Sequence, residues 1–348
     1  MRAIAVTPGQ PGSAAVIEVP DPPQSDGAVL VRGRTVGICG TDAEIVFDGY
    51  GTVPAGADQL VLGHESLGEV ISAPAGSGLS AGDLVSAVVR RPAPQPCRCC
   101  AAGEWDMCSD GRFVERGITG APGYGSELWR ADPQFVIRVD PALGDLGVLL
   151  ETTSVVAKAW EHVESVGRRS SFEPQVAVIT GAGPVGLLAG LLATQRGLRT
   201  WILDLATDGP KPQLVADLGA SYSTDAANAL PERPDIVIEC TGHGQVLAEV
   251  ALAAGPNATI ALTGLSQHTH LAPADLSAVN RRLVLGNQVI FGTVNAARRH
   301  YDQAADALAR ADPGWLARLL TRRVPMADWP QALVKEPADI KVSVALDE

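Results

Sequence analysis

Residues 176–195 read VAVITGAGPVGLLAGLLATQ, in which an apolar run, a glycine-rich turn and an apolar helical segment follow one another. The glycines form the pattern GxGxxG between a strand-like run and the start of a helix. In that context Gly181 permits a tight turn, Gly183 lets the backbone approach a pyrophosphate, and Gly186 lets the helix pack on the strand. The first helical turn also offers free N–H groups to phosphates. The sequence therefore predicts a dinucleotide site whose members are Gly181, Gly183, Pro184, Val185, Gly186 and Thr241.

The next strand-like run, TWILDL, contains Asp204, which lies 18 residues after Gly186. A carboxylate at that place hydrogen-bonds the ribose hydroxyls of NAD and repels the 2′-phosphate of NADP. The loop that follows contains no arginine, and Lys211 is its nearby cation. We therefore expect NAD as the favoured cofactor, with NADP as the alternative.

The region from Phe172 onward alternates strand-like and helix-like segments, and its further strand-like runs are residues 235–240, 258–264 and 288–294. Such alternation is typical of βαβ units and a parallel sheet. The first part of the chain instead has short β-branched runs separated by turns, and the chain ends in another strand-like run, DIKVSVAL. These two sequence patterns indicate two different kinds of domain.

The length of 348 residues suggests two domains or one large one, since a domain has about 100–200 residues, and the two patterns favour two. We predict an α/β protein. Its first domain is mostly β, comprising residues 1–155, with residues 306–348 returning to it. The second, residues 156–305, is a Rossmann domain with a doubly wound parallel sheet.

The chain is acidic, with 27 Lys and Arg against 39 Asp and Glu and a formal net charge of −12. An acidic surface finds no counter-charge on nucleic acid or on anionic membranes, so neither is an expected partner. The sequence shows neither a signal-peptide core nor the run of about 18–20 apolar residues that a bilayer requires. We expect a cytoplasmic protein that acts on a small molecule.

A set of metal-ligand residue types lies in the first part of the chain. Cys39 lies in GICGTD, His64 and Glu65 follow in GHE, and Glu151 opens the helix-like segment LLETTSVV. A thiolate, an imidazole and carboxylates are the ligand types of a catalytic zinc that keeps one position open for Lewis-acid chemistry. We predict a catalytic zinc site from these four residues.

At this point the chain resembles the zinc-containing medium-chain dehydrogenase/reductase superfamily over essentially its whole length. Within it, the best resemblance is to the microbial glucose 1-dehydrogenase type of sugar and polyol dehydrogenases. The segments that carry the resemblance are GICGTDAEI (37–45), LVLGHESLGEV (60–70), GEWDMC (103–108), DGRFVERGITGAPGYGSE (110–127), LLETTSVVAKAWE (149–161), GAGPVG and DIKVSVAL. GHE followed by GxV at this distance from CGTD is specific to the superfamily, and ERGI and ETTSVVAKA are more specific to the sugar branch.

The resemblance implies a GroES-like catalytic domain joined to the Rossmann domain, and a homodimer or homotetramer formed through the cofactor domain, with QVIFGTV as a candidate interface strand. It implies hydride transfer between NAD(P) and a hydroxyl-bearing carbon of a polyhydroxylated small molecule, such as a sugar, a cyclitol or a related biosynthetic intermediate. The implied metal is Zn²⁺, which stabilises the alkoxide of the substrate.

The resemblance also implies roles for individual residues. Cys39 and His64 match ligands of the catalytic zinc, and Glu65 matches a carboxylate that completes or exchanges in the zinc shell. Glu151 matches a carboxylate of this branch that reaches the zinc or the substrate, directly or through water, and Asp42 is an outer partner of the site.

The remaining implied roles concern the proton and the substrate. Thr41 matches the hydroxyl that passes the substrate proton outward, so the catalytic set is Thr41, Glu65 and Glu151. Glu115 and Asn295 match positions that hydrogen-bond sugar hydroxyls. The substrate-binding set is therefore Glu115, Glu151 and Asn295.

The cysteine-rich loop departs from the family pattern. The structural zinc of the family uses Cys-x2-Cys-x2-Cys-x7-Cys, and here Cys97, Cys100 and Cys108 fit the last three positions while Pro94 occupies the first. Clustered cysteines in a reducing compartment favour metal binding. We expect a structural zinc with Cys99 as the candidate fourth ligand, although neighbouring ligands at 99 and 100 demand an unusual turn. The alternative is a reduced loop held by ordinary packing.

Two further departures concern specificity. Ala206 and Thr207 stand where the glucose branch often carries paired arginines for NADP, and Val89 stands where it often has a polar residue before the RR pair. The first weakens an NADP assignment, and the second weakens glucose itself as the substrate.

Three alternatives remain open on sequence alone. One is a simple alcohol or threonine-type dehydrogenase, which a comparison of sugars with plain alcohols separates from a sugar enzyme. Another is a non-catalytic nucleotide-binding protein on the same fold, which would show no zinc at Cys39. The third, a zinc-free quinone or enone reductase, has no need of the CGTD and GHE pair.

Overall fold

The structure is a computed structural model that describes residues 1–225, 227, 230–265 and 274–347. The strands within these ranges are β1 Arg2–Thr7, β2 Gln10–Glu18, β3 Val29–Ile38, β4 Leu60–Val61, β5 Glu65–Ser72, β6 Leu84–Ala87, β7 Arg90–Pro92, β8 Phe113–Arg116, β9 Gly120–Ala121, β10 Leu128–Ala131, β11 Val136–Arg138, β12 Val176–Thr180, β13 Arg199–Leu203, β14 Ser221–Ser223, β15 Ile236–Glu239, β16 Thr259–Leu262, β17 Val289–Gly292, β18 Leu320–Pro325 and β19 Lys341–Ala345. The α-helices are α1 Gly40–Ala43, α2 Arg98–Ala101, α3 Leu150–Gly167, α4 Pro184–Gln195, α5 Lys211–Asp217, α6 Gly244–Ala253, α7 Leu276–Gly286, α8 Arg298–Ala309 and α9 Pro313–Ala317.

The chain divides into two compact units, residues 1–154 with 295–348, and residues 155–294. The return to the first unit therefore begins at Asn295, whereas the sequence places it at residue 306. The difference has a physical cause, because this segment bonds to the first unit. Asn295 donates from Nδ2 to Oε1 of Glu115 (2.8 Å), and Arg298 donates to the carbonyls of Pro133 and Gln134 (3.2 and 2.8 Å).

The first unit is mostly β. Its largest sheet has the order β11-β6-β5-β3-β19-β18, with β10 also pairing with β3. Smaller sheets have the orders β2-β1-β4 and β7-β8-β9. Burial alternates along the first half of β3, whereas β1 is buried at its four central residues, and the resulting core includes Ile4, Val36, Leu60, Trp329 and Val344. The C-terminal strand β19 lies between β3 and the edge strand β18, so residues far apart in sequence meet there.

The second unit contains a six-stranded parallel sheet with the order β14-β13-β12-β15-β16-β17. Numbered within the unit, this is the order 3-2-1-4-5-6 of a doubly wound dinucleotide-binding sheet. The central strands β12 and β15 are buried along their whole length, as expected for strands covered on both faces. The predicted α/β class with a Rossmann sheet is confirmed.

The helices follow the expected apolar periodicity. Helix α3 has 18 residues, and the side chains of Val156, Trp160 and Val163 lie on its buried face. Helix α4 is apolar on nearly every side because it is buried along its length. In the part of the chain that the structure describes, none of the helices has the length and apolarity needed to cross a membrane.

Candidate active site and metal centres

Cys39 follows strand β3 and caps helix α1. Its backbone amide donates to Oδ2 of Asp42 (2.9 Å), and its Sγ accepts a hydrogen bond from the amide of Thr41 (3.3 Å). These bonds are those of a helix N-cap, so the short helix fixes the direction of the sulfur. The Sγ atom lies 3.0 Å from Nε2 of His64. Two residues that the sequence places in one metal site are therefore in contact.

His64 is brought to Cys39 by the pairing of the strands that flank the two residues. It precedes β5, which runs antiparallel to β3, and only 5% of its surface is exposed. Its Nδ1 faces Oδ1 of Asp42 at 3.5 Å. Burial lowers the pKa of His64, but the Cys39 thiolate and the Asp42 carboxylate raise it by more, so the pKa lies well above its usual value. A carboxylate behind an imidazole fixes the ring and leaves the opposite nitrogen for a cation.

Glu65 has an unexpected partner. The Nζ of Lys341 lies 2.5 and 2.6 Å from its two carboxylate oxygens, and both side chains are 2% exposed. Lys341 also donates to the carbonyl of Ile38 (3.3 Å). Gly37, opposite Glu65 in the β3–β5 ladder, leaves the necessary room, because a Cβ there would lie 2.1 Å from Oε2 of Glu65. Burial lowers the pKa of Lys341, whereas Glu65 and Cys39 raise it by more, so its ammonium form is favoured.

The donor set fits a zinc ion. One ligand atom from each of Cys39, His64 and Glu65 lies within 4.8 Å of the other two. A thiolate, an imidazole and a carboxylate are all zinc ligands, and three protein ligands leave one position open. A divalent cation would also balance the half-buried thiolate of Cys39 and the buried carboxylate of Asp42. The residues present are therefore those that a catalytic zinc requires.

Glu151 lies near this group but outside it, since the cluster of ligand atoms found among the described residues does not include its carboxylate. It stands in the first turn of α3 and is 8% exposed. Burial, with further contributions from Glu65 and Asp42, raises the pKa of Glu151 to about 7, although His64 and Lys341 act in the opposite direction. A carboxyl group that titrates near neutrality can hold or release a proton. Its place as a direct zinc ligand stays a prediction.

The two predicted sugar-binding residues bond to each other. Nδ2 of Asn295 donates to Oε1 of Glu115, and the same oxygen accepts from Nε and Nη2 of Arg90 (3.1 and 3.0 Å). All three side chains are less than 10% exposed. The predicted sugar-binding carboxylate is therefore held by two neighbours, one of which, Arg90, sequence reasoning did not assign. Val89 lies in the apolar core of the first unit and is 1% exposed.

The cysteine loop forms a second group of ligand atoms. Sγ atoms of Cys97, Cys100 and Cys108 lie within 4.8 Å of one another, and those of Cys97 and Cys108 are 4.0 Å apart. The amides of Cys100 and Ser109 both donate to the sulfur of Cys97 (3.5 Å). Such amide bonds stabilise a thiolate, which is the form that binds metal. These three thiols fit three of the four ligand positions of a structural zinc.

The structure does not bring the predicted fourth ligand, Cys99, into this group of described residues. The reason is local geometry: Cys99 and Cys100 are neighbours in helix α2, where successive side chains point about 100° apart. The atom next to the group is instead Oδ1 of Asp110, which lies 3.1 Å from the sulfur of Cys108.

The thiols of this loop titrate differently. Hydrogen bonds from Ser109 and Cys100 lower the pKa of Cys97 to about 6, whereas burial and the neighbouring thiols raise that of Cys100 to about 12. The bond from Cys108, with those from Arg112, lowers the pKa of Asp110 to about 2. One thiolate is therefore ready for a cation near neutral pH, while Cys100 must lose its proton as a metal binds.

The glycine-rich loop of the second unit has the expected form. Gly181 has φ +85°, which favours glycine, and its amide donates to the carbonyl of Leu203 (2.6 Å). A Cβ on Gly186 would lie 1.7 Å from the carbonyl oxygen of Gly181, so only glycine fits where helix and turn meet. Gly183 is the N-cap of α4, Pro184 and Val185 begin that helix, and the space beside Gly183 is open. The loop can therefore admit a pyrophosphate to the helix N-terminus.

Thr241 is anchored beside this loop by a buried carboxylate. Oε1 of Glu239 accepts from the amide and the hydroxyl of Thr241 and from the hydroxyl of Thr180 (3.1 Å). The amide bond of Thr241 to Glu239 is 2.7 Å. A Cβ on Gly181 would lie 3.2 Å from Cγ2 of Thr241, which shows how close the two loops are.

Asp204 is already engaged in the described structure. Its Oδ2 accepts from the amide of Ala182 (2.7 Å), its Oδ1 accepts from the amide of Ala206 (3.0 Å), and Nζ of Lys211 lies 3.0 Å from both oxygens. These bonds outweigh burial and lower the pKa of Asp204. The carboxylate of Asp204, which the sequence predicts to repel a 2′-phosphate, is therefore already paired with the ammonium group of Lys211.

Lys341 and Arg90 are the functional candidates that sequence reasoning missed. Both left a signal in the sequence, because each cation stands next to an apolar run: Lys341 at the start of KVSVAL, and Arg90 directly after AVV. Lysine and arginine are rarely buried without a partner, so a cation in such a strand predicts a buried carboxylate opposite it. The sequence alone does not say which carboxylate, because Glu65 and Lys341 are 276 residues apart.

Two family profiles match the chain. One, described as "Glucose dehydrogenase C-terminus", matches residues 144–346, and the other, "Alcohol dehydrogenase GroES-like domain", matches residues 25–141. Together they cover both units.

The chain is also similar over nearly its full length to individual proteins. It is 36% identical to a glucose 1-dehydrogenase of Methanocella arvoryzae, with 99% of each chain covered, and 37% identical to a glucose 1-dehydrogenase of Thermoproteus tenax, with 98% of each covered. Among solved structures, Haloferax mediterranei glucose dehydrogenase in complex with NADP, Zn and gluconolactone superposes with a TM-score of 0.92 at 31% identity, covering all of both chains.

Proposed function

The chain belongs to the glucose dehydrogenase branch of the zinc-containing medium-chain dehydrogenases, and from this membership we propose that it oxidises an aldose, with glucose as the first candidate, using zinc and NAD(P). It is an oxidoreductase that transfers hydride between a hydroxyl-bearing carbon and a nicotinamide cofactor. The solved Haloferax relative contains NADP, Zn and gluconolactone, and a lactone is the oxidation product expected of an aldose hydroxyl.

The contact between Cys39 and His64, with a Glu65 oxygen in the same 4.8 Å group, is the observation that carries the proposal. These residues would hold the zinc. When bound there, zinc supplies Lewis-acid stabilisation of the developing alkoxide.

The surrounding residues would prepare this site. Asp42 faces Nδ1 of His64 and so orients the ring, with Nε2 toward the sulfur of Cys39. We assign Thr41 to the outward transfer of the substrate proton, since it lies on helix α1 directly after the Cys39 turn. Glu151, whose pKa is about 7, is suited to hold a proton or a substrate hydroxyl beside the metal group.

The substrate would be recognised by polar side chains in the same unit. Glu115 and Asn295 offer a carboxylate and an amide, which pair with hydroxyl groups. Val89, buried in the apolar core, contributes no polar contact, so the substrate need not be recognised in the way that the glucose branch often uses. Cyclitols and related polyols therefore remain within the proposal.

We propose that Asp204 contacts the adenosine ribose and favours NAD. The position of Asp204, 18 residues after Gly186, supports this assignment, and the Asp204–Lys211 pair supplies a test. In Asp204→Ala, Lys211 loses its partner and becomes available to a 2′-phosphate, so the NADP/NAD ratio of kcat/KM should rise about tenfold, equivalent to about 1.4 kcal/mol. An unchanged ratio would remove Asp204 from the ribose role. Lys211→Met is the matched variant and should lower the same ratio.

We propose a cytoplasmic homodimer or homotetramer. All six cysteines are free thiols, which suits a reducing compartment. Size-exclusion chromatography with light scattering measures the oligomer directly, and a monomer would contradict this part of the proposal.

The function is tested by a cofactor-reduction screen of the full chain over aldoses, cyclitols and plain alcohols, each with NAD and with NADP. We expect turnover of one or more aldoses, bound zinc by elemental analysis, and loss of turnover when zinc is removed. Turnover of plain alcohols alone would replace the sugar assignment with a simple alcohol dehydrogenase. Zinc-independent turnover would contradict the proposed metal site.

A further inference from the structure

Arg90 is a buried guanidinium with a single orientation. It is 7% exposed, lies in strand β7, and uses Nε and Nη2 to bond Oε1 of Glu115. Its Nη1 donates to the carbonyl of Asp106 (3.1 Å), and its guanidinium carbon lies 3.9 Å from the centroid of the Phe113 ring. An ion pair, a carbonyl and an aromatic face together hold all parts of the planar group.

Asn295 approaches the same oxygen of Glu115 from the segment that returns to the first unit. Its Nδ2 donates to Oε1, its Oδ1 accepts from the amide of Ala296 (2.8 Å), and its backbone has φ +62°. Three N–H donors therefore converge on one carboxylate oxygen. Within the described ranges, no hydrogen bond reaches the other oxygen, Oε2. A carboxylate has about four acceptor positions, so Oε2 keeps its capacity to accept from a ligand.

We propose that Arg90 is a positioning residue for the sugar: by fixing Oε1 of Glu115 together with Asn295, it directs Oε2 toward one particular substrate hydroxyl. This rests on the proposed function. A fixed charged acceptor is specific because a substrate that lacks the matching hydroxyl leaves that acceptor without a partner. We assign Arg90 to positioning and not to sugar contact, because each of its three guanidinium nitrogens already donates a hydrogen bond to the protein.

The same contacts also join two strands, since Arg90 and Glu115 are directly opposite each other in the β7–β8 ladder. A merely structural Arg90 would weaken the enzyme toward every substrate alike, whereas a positioning residue would change the discrimination of one hydroxyl. The deciding measurement is therefore a ratio between substrates.

The experiment measures kcat/KM for glucose and for those monodeoxy analogues that keep the anomeric hydroxyl and the pyranose ring (the 2-, 3-, 4- and 6-deoxy sugars), in the unmodified enzyme, Glu115→Gln, Arg90→Met and Arg90→Lys. Arg138→Met is the matched control, because it removes an arginine whose ion pair with Asp83 is exposed. The unmodified enzyme should prefer glucose over one monodeoxy analogue by about 10- to 100-fold, the range expected for one charged hydrogen bond. Glu115→Gln and Arg90→Met should both reduce that preference to within about threefold. Arg90→Lys keeps the positive charge but not the planar guanidinium geometry, so it should retain part of the preference for glucose.

Two outcomes would overturn the role of Arg90. In the first, Arg90→Met lowers kcat/KM for glucose and all analogues by one common factor and leaves the preference intact. In the second, Arg90→Met changes the preference for a different hydroxyl from that affected by Glu115→Gln. If Arg90→Met does not fold, the same comparison is made with Arg90→Lys, where an unaltered preference overturns the proposal. Failure of the unmodified enzyme to oxidise any sugar would instead overturn the proposed function.

Discussion

The first unit contains two clusters of potential metal ligands, which are assembled in different ways: the first is Cys39, His64 and Glu65, and the second is Cys97, Cys100 and Cys108. Cys39 and His64 are 25 residues apart and meet because β3 and β5 pair, and their site is buried with Lys341 behind it. The sulfurs of Cys97 and Cys108 are 11 residues apart and meet within one loop at the surface. The first cluster depends on the folded sheet, whereas the second depends on a local turn.

The difference shows what each site can do. Electrostatic interactions are stronger in a buried site than in water, and catalysis uses this strength. For the same reason, a charge that loses its partner in such a site lowers the stability of the fold. A local loop of thiols ties a short segment together and leaves the sheet unaffected. Removal of a ligand should therefore have different consequences in the two clusters.

Cys39→Ser should have the largest effect of the four substitutions, and that effect is on turnover. Loss of the thiolate removes one zinc per chain, and kcat should fall by at least about 1,000-fold, because the Lewis acid contributes several kcal/mol. Dinucleotide binding, measured by fluorescence titration, should persist, since the glycine-rich loop lies in the other unit. Retention of full zinc content would show that the cluster does not hold the metal as proposed.

Lys341→Met should have the next largest effect, and that effect is on the free energy of unfolding. It leaves the carboxylate of Glu65 buried without its cation, which costs about 3–5 kcal/mol of unfolding free energy in the metal-free protein. Bound zinc should reduce that loss, because Glu65 can then pair with the metal. Denaturant unfolding with and without a chelator measures both values, and Arg138→Met, which removes an exposed pair, is the control. An equal loss in both conditions would mean that Glu65 does not interact with the metal.

Cys97→Ser should remove the second zinc with a much smaller effect on catalysis. Because the residues of this cluster are close in sequence and hold only their own loop, kcat should stay within about threefold of the unmodified value, while the melting temperature falls by several degrees. Elemental analysis combined with calorimetry makes the measurement. A loss of turnover as large as that of Cys39→Ser would remove the distinction between the two clusters.

Cys99→Ser should have the smallest effect. Its sulfur is outside the described cluster, so the zinc content and the melting temperature should both be unchanged. Asp110→Ala is the companion variant, since the carboxylate of Asp110 lies beside Cys108. If Cys99→Ser loses one zinc per chain and Asp110→Ala retains its full zinc content, Cys99 is the fourth ligand of the structural zinc.

Much of the fold could be predicted from the sequence because its signals are local. Glycine at 181 and 186 is required by a positive φ and by a contact that a Cβ would block, and both requirements appear as a motif. The parallel sheet likewise follows from short apolar strands that alternate with helices. The beginning of the returning segment at Asn295 could not be read in this way, because it depends on a bond to Glu115.

The sequence by itself determined the ligand types, the dinucleotide loop and the family, since residue identity and short spacing are sufficient for these. Only the tertiary structure decided two of the counter-ions: Lys341 for Glu65, and Arg90 for Glu115. The physical reason is that a buried charge requires an opposite charge within a few ångströms, and strand pairing chooses which one arrives. Distance along the chain carries no information about that choice.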